Sequence, residues 1–324
     1  MNIGIIRIDR MGDMILTLPI IKALKINNSS IKIDVFASAQ NIKIVENFQY
    51  IDRIINVDES NNSKKKYDLV LNFSPGWKSF FLCLFTNSTK KANIIFMSRY
   101  TNKLYSKILI YFLSKIFFQQ TLIVNRIKRY NSNKSIHQTD MMFKLINQCK
   151  ISYNKDIEIE KYLPYKINIK SKKRICLLHL SSRWINKYYS EIDFLKLIDL
   201  LEKKYSLILT SDTTTTKKFS LIYDKYKIIN NDDFKKIKET QNITILENLN
   251  FENWIQSIYS ADLVITPECG CSHIATLCKI NSKIIYDSDN MPNMINAEYA
   301  PWKGKYEKYF FNSENLNNLL TKNL

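Results

Sequence analysis

Four charged side chains, Arg7, Asp9, Arg10 and Asp13, interrupt two aliphatic runs in "IGIIRIDRMGDMILTLPIIKAL" (residues 3–24). Asp13 directly follows Gly12, where a first strand turns into a first helix. A carboxylate there can take a proton from a bound hydroxyl. It can equally do no more than complement the helix dipole, so position alone leaves both readings open. A second stretch, "TPECGCSHIA" (266–275), ends a strand at Glu268, turns at Gly270 and starts a helix near Cys271, with Ser272 and His273 in its first turn. Backbone N–H groups at a helix start attract anions and suit a diphosphate. The bland alternative is an ordinary turn whose histidine is a satisfied polar residue. A third stretch, "HLSSRWINKYYS" (179–190), presents the hydroxyls of Ser181 and Ser182 and the ammonium of Lys187. These suit an oxyanion, although Lys187 taken singly reads as a solvated surface charge.

All three stretches sit where a strand gives way to a helix, and the elements around them alternate. Short β-branched runs at 2–8, 31–38, 53–57 and 67–73 are separated by segments of helical spacing, such as 14–25 with Leu16, Ile20, Ile21 and Leu24 on one face. The pattern restarts after a polar connection near 152–172, with strands at 174–181, 206–212, 242–246, 262–268 and 282–288 and helices at 191–205, 251–261 and 271–279. Such alternation implies two parallel sheets with helices on both faces, each with its ligand edge at the carboxyl ends of the strands. The expected division is 1–155, a linker at 156–172, a second domain at 173–312 and a closing helix at 313–324.

Forty-eight Lys and Arg against 30 Asp and Glu give the 324-residue chain a net charge of +18. That field favours phosphorylated substrates, anionic membrane surfaces or nucleic acid. No zinc motif, RNP-like aromatic pattern or compact Arg cluster supports nucleic acid, which is set aside. Six scattered cysteines without a CxxC pair point to reduced thiols rather than a disulfide framework or zinc site. The charges at residues 7–13 are incompatible with a signal peptide. The greasiest run, 104–118, is broken by Lys107 and Lys115 and is too short to span a bilayer. It reads as a helix covering the first sheet, or as one resting on a membrane surface.

Taken together and in order, these stretches resemble glycosyltransferase family 9, the bacterial heptosyltransferases of lipopolysaccharide inner-core assembly. "RIDRMGDMILTLPIIKAL" matches the family's opening strand, its Arg/Lys-rich turn, its "GD" and its helix. Lys187 matches the lysine of the mid-chain "KxWP" signature, with Tyr189 and Ser190 in place of Trp and Pro. Glu268, Cys269, Gly270 and His273 occupy the late acid–hydroxyl–Gly–His pattern, with Glu for Asp and Cys for the hydroxyl. "HQTDMMFKLINQCKI" (137–151) resembles the helix that ends the family's first domain, and the likeness runs from residue 2 to about 290.

The resemblance implies a GT-B fold, two Rossmann-like doubly wound domains facing a central cleft. It implies an inverting transfer of heptose from ADP-heptose to a phosphorylated or acidic glycolipid at the cytoplasmic face of the inner membrane, with no cofactor or metal. Asp13 would be the general base, and Arg7, Arg10 and Gly12 would meet the acceptor. Ser181, Ser182, Lys187, Glu268, Cys269, Gly270, Cys271, Ser272 and His273 would hold the donor, with Lys187 stabilising the departing diphosphate. The substitutions at 268 and 269 leave open another nucleotide sugar, or a binding protein without catalysis.

Overall fold

The computed structural model describes residues 1–59, 65–97, 104–125, 135–158, 169, 171–212, 215, 218–236, 242–287, 292–311 and 316–321. The chain divides into two compact units, Met1–Ile159 with Ala297–Trp302, and Glu160–Asn296 with Lys303–Leu324. Residues 159–168 and 170 of the connection expected at 156–172 lie outside the described residues.

The first unit runs β1 (Asn2–Ile6), α1 (Met11–Ile15), α2 (Leu18–Asn27), β2 (Lys32–Ala37), β3 (Arg53–Asn56), β4 (Tyr67–Asn72), α3 (Trp77–Phe85), β5 (Ser88–Phe96), α4 (Leu104–Phe117), β6 (Gln120–Val124) and α5 (Gln138–Gln148). Its six strands are all parallel in the order β3-β2-β1-β4-β5-β6. This is the strand order of dinucleotide-binding sheets, which reverses between β1 and β4. Because helices cover both faces, β1 and β4 are aliphatic at successive positions instead of alternating; Ile3, Ile5 and Ile6 are buried, as are Leu69, Val70 and Leu71.

The helix expected as one piece over 14–25 is two. Pro19 has no N–H to give the Ile15 carbonyl, and its ring crowds that carbonyl. The chain therefore closes α1 at Ile15 and restarts at Leu18 with Thr17 as N-cap. The Thr17 hydroxyl donates to the Asp13 carbonyl (3.0 Å), tying the short helix to the long one. Leu16, Ile20, Ile21 and Leu24 are all buried.

The second unit contains β7 (Arg174–His179), α6 (Glu191–Glu202), β8 (Tyr205–Ser211), α7 (Ser220–Lys225), β9 (Lys227–Asn230), β10 (Ile243–Glu247), α8 (Phe251–Ser260), β11 (Leu263–Pro267), α9 (Gly270–Leu277), β12 (Asn281–Tyr286), α10 (Pro292–Tyr299), β13 (Glu307–Phe310) and α11 (Leu316–Thr321). The last three residues of α10 belong to the first unit. Seven parallel strands run β13-β12-β11-β7-β8-β10-β9, so this sheet reverses between β7 and β11. Its core packs Leu178, Trp184, Phe194, Leu197, Leu207, Ile245 and Ile265 around the central strands.

Candidate active site

Each sheet carries a polar cluster at the point where its strand order reverses. In the first unit the chain leaves β1 through Arg7, Asp9 and Arg10 and leaves β4 through Phe73 and Ser74. Arg7 is only 1% exposed. Its Nη2 donates to Asp13 Oδ1 at 2.9 Å, its Nε lies 3.5 Å from Asp9 Oδ1, and its Nη1 donates to the Phe73 carbonyl. Ser74 Oγ accepts from the Ile8 N–H (2.7 Å) and donates to Asp9 Oδ1. Asn41 Nδ2 closes the ring by donating to the carbonyls of Arg7 and Asp9, both at 3.0 Å. A buried cation thus fixes two carboxylates that the sequence places four residues apart. Burial pushes the Asp9 carboxyl above its ordinary value; Arg7 opposes that shift and Asp13 adds to it.

Asp13 remains 18% exposed. Its Oδ1 is held by Arg7, and Oδ2 has no hydrogen-bond partner among the described residues. A carboxylate held through one oxygen by a rigid guanidinium while the side chain stays partly exposed is oriented to receive a proton. Arg7, expected to meet an acceptor, is closed off from solvent, so it positions Asp13 and Asp9 instead. Arg10 is exposed at the extended residue before α1, with no side-chain cap bond. Gly12 lies inside α1, and neither it nor Gly270 has a positive φ; among the glycines only Gly76 does, at 106°. Both therefore sit in ordinary helical backbone, where no tight turn requires a glycine.

The second unit repeats the design across β7 and β11. Arg183, in the loop after β7, donates through Nη1 to Glu268 Oε2 at 2.7 Å and to the Glu268 carbonyl after β11. Burial works against the Arg183 charge, but Glu268 outweighs it and holds the guanidinium above its ordinary value. Next along the chain, Cys269 is the N-cap of α9. Its sulfur accepts from the Ser272 N–H, lies 3.3 Å from Thr266 Oγ1, and so does the work of a capping hydroxyl. Burial pushes both the Cys269 and Cys271 thiols up, leaving them neutral.

Within the run expected to hold a donor, Glu268, Cys269 and Gly270 keep some exposure, while Cys271, Ser272 and His273 are buried. Ser272 Oγ donates to the Cys269 carbonyl at 2.7 Å. The Ser272 side chain therefore braces the turn, and His273, next in sequence, is buried rather than exposed to a ligand. Lys187 belongs to a π-helical turn, Trp184–Tyr188, closed by the Tyr189 N–H to the Trp184 carbonyl at 2.7 Å. The Lys187 side chain lies outside the described residues. The two departures from the mid-chain signature both have structural work. Tyr189 packs on Trp184, Phe194 and Phe311, and Ser190 caps α6 by accepting from the Asp193 N–H.

Ser181 and Ser182 line a polar cavity of about 310 Å³ at the carboxyl ends of β7 and β8, together with His179, Leu180, Asp212, Thr215 and Lys218. His179 Nδ1 is 3.0 Å from Thr210 Oγ1, and burial pulls its imidazole down to about 4 against the nearby Asp212 carboxylate. It is neutral at pH 7. Sequence reasoning missed Arg183, His179 and Asp212. Arg183 stands two residues after Ser181 and four before Lys187, so its loop was already marked, but its partner is 85 positions away. Asp287-Ser288-Asp289 also goes unread as an Asp-x-Asp triplet after β12. Ser288 and Asp289 lie outside the described residues, and no group of three metal-ligating side chains occurs among the described ones.

Two tandem parallel-sheet α/β units, each with a polar cluster at its own reversal point, make a GT-B-type fold. Residues 63–291, more than two thirds of the chain, match the model of glycosyltransferase family 9 (heptosyltransferase), and the chain belongs to that family. It is a glycosyltransferase. A search of curated proteins finds no match by sequence. Solved structures similar in fold include a family 9 glycosyl transferase from Veillonella parvula, at TM-score 0.70 and 15% identity over 99% of this chain and 89% of that one. They also include E. coli heptosyltransferase WaaC with ADP, at 0.69 and 13% over 99% and 98%. E. coli ADP-heptose LPS heptosyltransferase II follows at 0.66 and 12% over 99% and 96%.

Proposed function

We propose that this glycosyltransferase transfers heptose from ADP-heptose to a lipopolysaccharide or lipooligosaccharide inner-core acceptor, with inversion, at the cytoplasmic face of the inner membrane. The observation that carries the proposal is the Arg7–Asp13 clamp at the reversal point of the first sheet. Asp13 Oδ2 takes the proton of the acceptor hydroxyl as that oxygen attacks the anomeric carbon, and the bond from that carbon to the diphosphate oxygen breaks. Arg10, exposed beside Asp13, suits the phosphates or acidic sugars of such an acceptor. The donor belongs to the second unit. Ser181 and Ser182 present hydroxyls, the backbone at Gly270 and Cys271 presents the positive end of α9, and Lys187 supplies an ammonium to the leaving diphosphate. Glu268, Cys269, Ser272 and His273 shape that turn. The similar folds of E. coli heptosyltransferase WaaC with ADP and of E. coli ADP-heptose LPS heptosyltransferase II support the choice of donor.

A second reading, a different nucleotide sugar on another surface glycan, draws on Glu268. Its carboxylate is engaged by Arg183, which leaves it less capacity for sugar hydroxyls. Incubation with an acidic lipid A–Kdo acceptor and either ADP-heptose or a panel of other nucleotide sugars separates the two. ADP release with one glycosylated product of inverted anomeric configuration supports the first. Transfer only from another donor selects the second, and tight donor binding with no transfer makes the protein a binder.

A further inference from the structure

Helix α4 is built the wrong way round for a helix that covers a sheet. Its buried stripe is Ser106, Ile110 and Ser114, while Tyr105, Ile108, Leu109, Tyr111, Phe112, Ile116 and Phe117 all face outward. Phe112 is 61% exposed. The helix anchors through Ile110 and the following Phe118 in the hydrophobic cluster that also holds Phe80 and Cys83 of α3. On the outer side of α3, Trp77 stacks on Phe81 (5.5 Å between ring centres) and Phe81 on Phe85 (6.1 Å), and Phe85 is 79% exposed. Such an outward apolar area, continuous along a helix, marks an interaction surface.

The charge on the helix selects the partner, for its two charged residues, Lys107 and Lys115, are both basic. Between Asp68 and Asp140 the sequence holds eleven Lys and Arg and no Asp or Glu. Lys115 lies over the Tyr111 ring (5.8 Å), its stem along the apolar face and its ammonium at the rim. A second copy of the chain would set Lys107 and Lys115 against the same two lysines. A nucleic acid would leave the aliphatic and aromatic side chains uncovered. No described helix is long and apolar enough to cross a bilayer, and the 14 residues of α4 extend only about 21 Å.

We propose that α4, with the aromatic ladder of α3, is an interfacial docking surface that inserts its apolar side chains into the headgroup boundary of an anionic bilayer. The lysines hold it there by attraction to the lipid charge. This rests on the surface alone and is independent of which sugar is transferred.

Co-sedimentation of the full chain with phosphatidylcholine vesicles and with equimolar phosphatidylcholine–phosphatidylglycerol vesicles tests it. The wild type is expected to bind the anionic vesicles and not the neutral ones, and to release as salt rises. Joint Phe85→Ser and Phe112→Ser, both at exposed positions, should lower partitioning at least about tenfold. Joint Lys107→Gln and Lys115→Gln should lower it about tenfold or more and reduce its salt dependence. Circular dichroism confirms that each variant is folded, and the lysine pair still decides if the aromatic pair is not. Failure of the wild type to bind anionic vesicles overturns the proposal. So does undiminished binding by the folded variants, or a wild-type dimer that the aromatic substitutions dissociate.

Discussion

Replacing Arg7 with methionine isolates the clamp that orients Asp13. The side chain is 1% exposed and bridges Asp13 Oδ1 at 2.9 Å, Asp9 Oδ1 at 3.5 Å and the Phe73 carbonyl. Methionine fills a similar volume but leaves two neighbouring carboxylates without their cation, and breaking a buried pair in this way costs about 3–5 kcal/mol. Both carboxylates keep some solvent, which places the expected loss near the lower bound, about 3 kcal/mol, including the hydrogen bond lost at Phe73. The sign of the pH dependence follows from Asp9. Its carboxyl already sits above its ordinary value through burial, and removing Arg7 raises it further. The folded state then binds more protons than the unfolded state above the ordinary carboxylate range, so the penalty shrinks as pH falls from 7 to about 5. Urea unfolding of wild type, Arg7→Met, Asp9→Asn and the double variant, at both pH values, measures the coupling. A loss under about 1 kcal/mol, or an equal loss with and without Asp9, would refute the argument.

The second unit carries its own pH signature. Burial holds His179 at about 4, so its contribution is complete above the ordinary histidine value and is lost as pH falls through about 4, amounting to up to about 3 kcal/mol. His179→Gln should flatten the urea midpoint over that interval; an unchanged slope would place the acid sensitivity elsewhere. His137, also lowered by burial despite its bond to the Ala300 carbonyl (2.8 Å), should leave a smaller residual slope in the first unit. Arg183→Met unties the loops after β7 and β11, and calorimetry should show nucleotide-sugar affinity reduced about tenfold or more. Unchanged affinity would assign Arg183 to the fold alone.

The parts legible in the sequence are those fixed by local pattern. Central strands such as β1, β4, β7 and β11 carry unbroken aliphatic runs because both faces of a parallel sheet are covered, and they stood out at once. Strands β9 and β13 lie at sheet edges and are half polar, and β5 opens on the polar run Ser88-Thr89-Lys90-Lys91, so none announced itself. The site shows the same divide. Asp13, Glu268 and the loop at Ser181 were marked by their strand-to-helix positions. That Arg7 is buried and that Arg183 reaches Glu268 depends on which strands the sheet brings side by side, and local spacing does not contain that information. Which of the two readings of α4 holds, a cover on the sheet or an outward apolar face, was left open for a related reason. Its composition is apolar nearly all round, and only the burial of Ser106, Ile110 and Ser114 reveals which side packs inward.

The most direct test is Asp13→Asn, assayed for transfer from ADP-heptose to an acidic inner-core acceptor and, by calorimetry, for donor affinity. The amide keeps the size of the side chain and one oxygen for Arg7 but cannot take a proton. The account predicts a folded protein with near-normal donor affinity and turnover reduced by about 10²- to 10⁴-fold. Turnover within a few-fold of wild type would remove Asp13 from the proton transfer and contradict it.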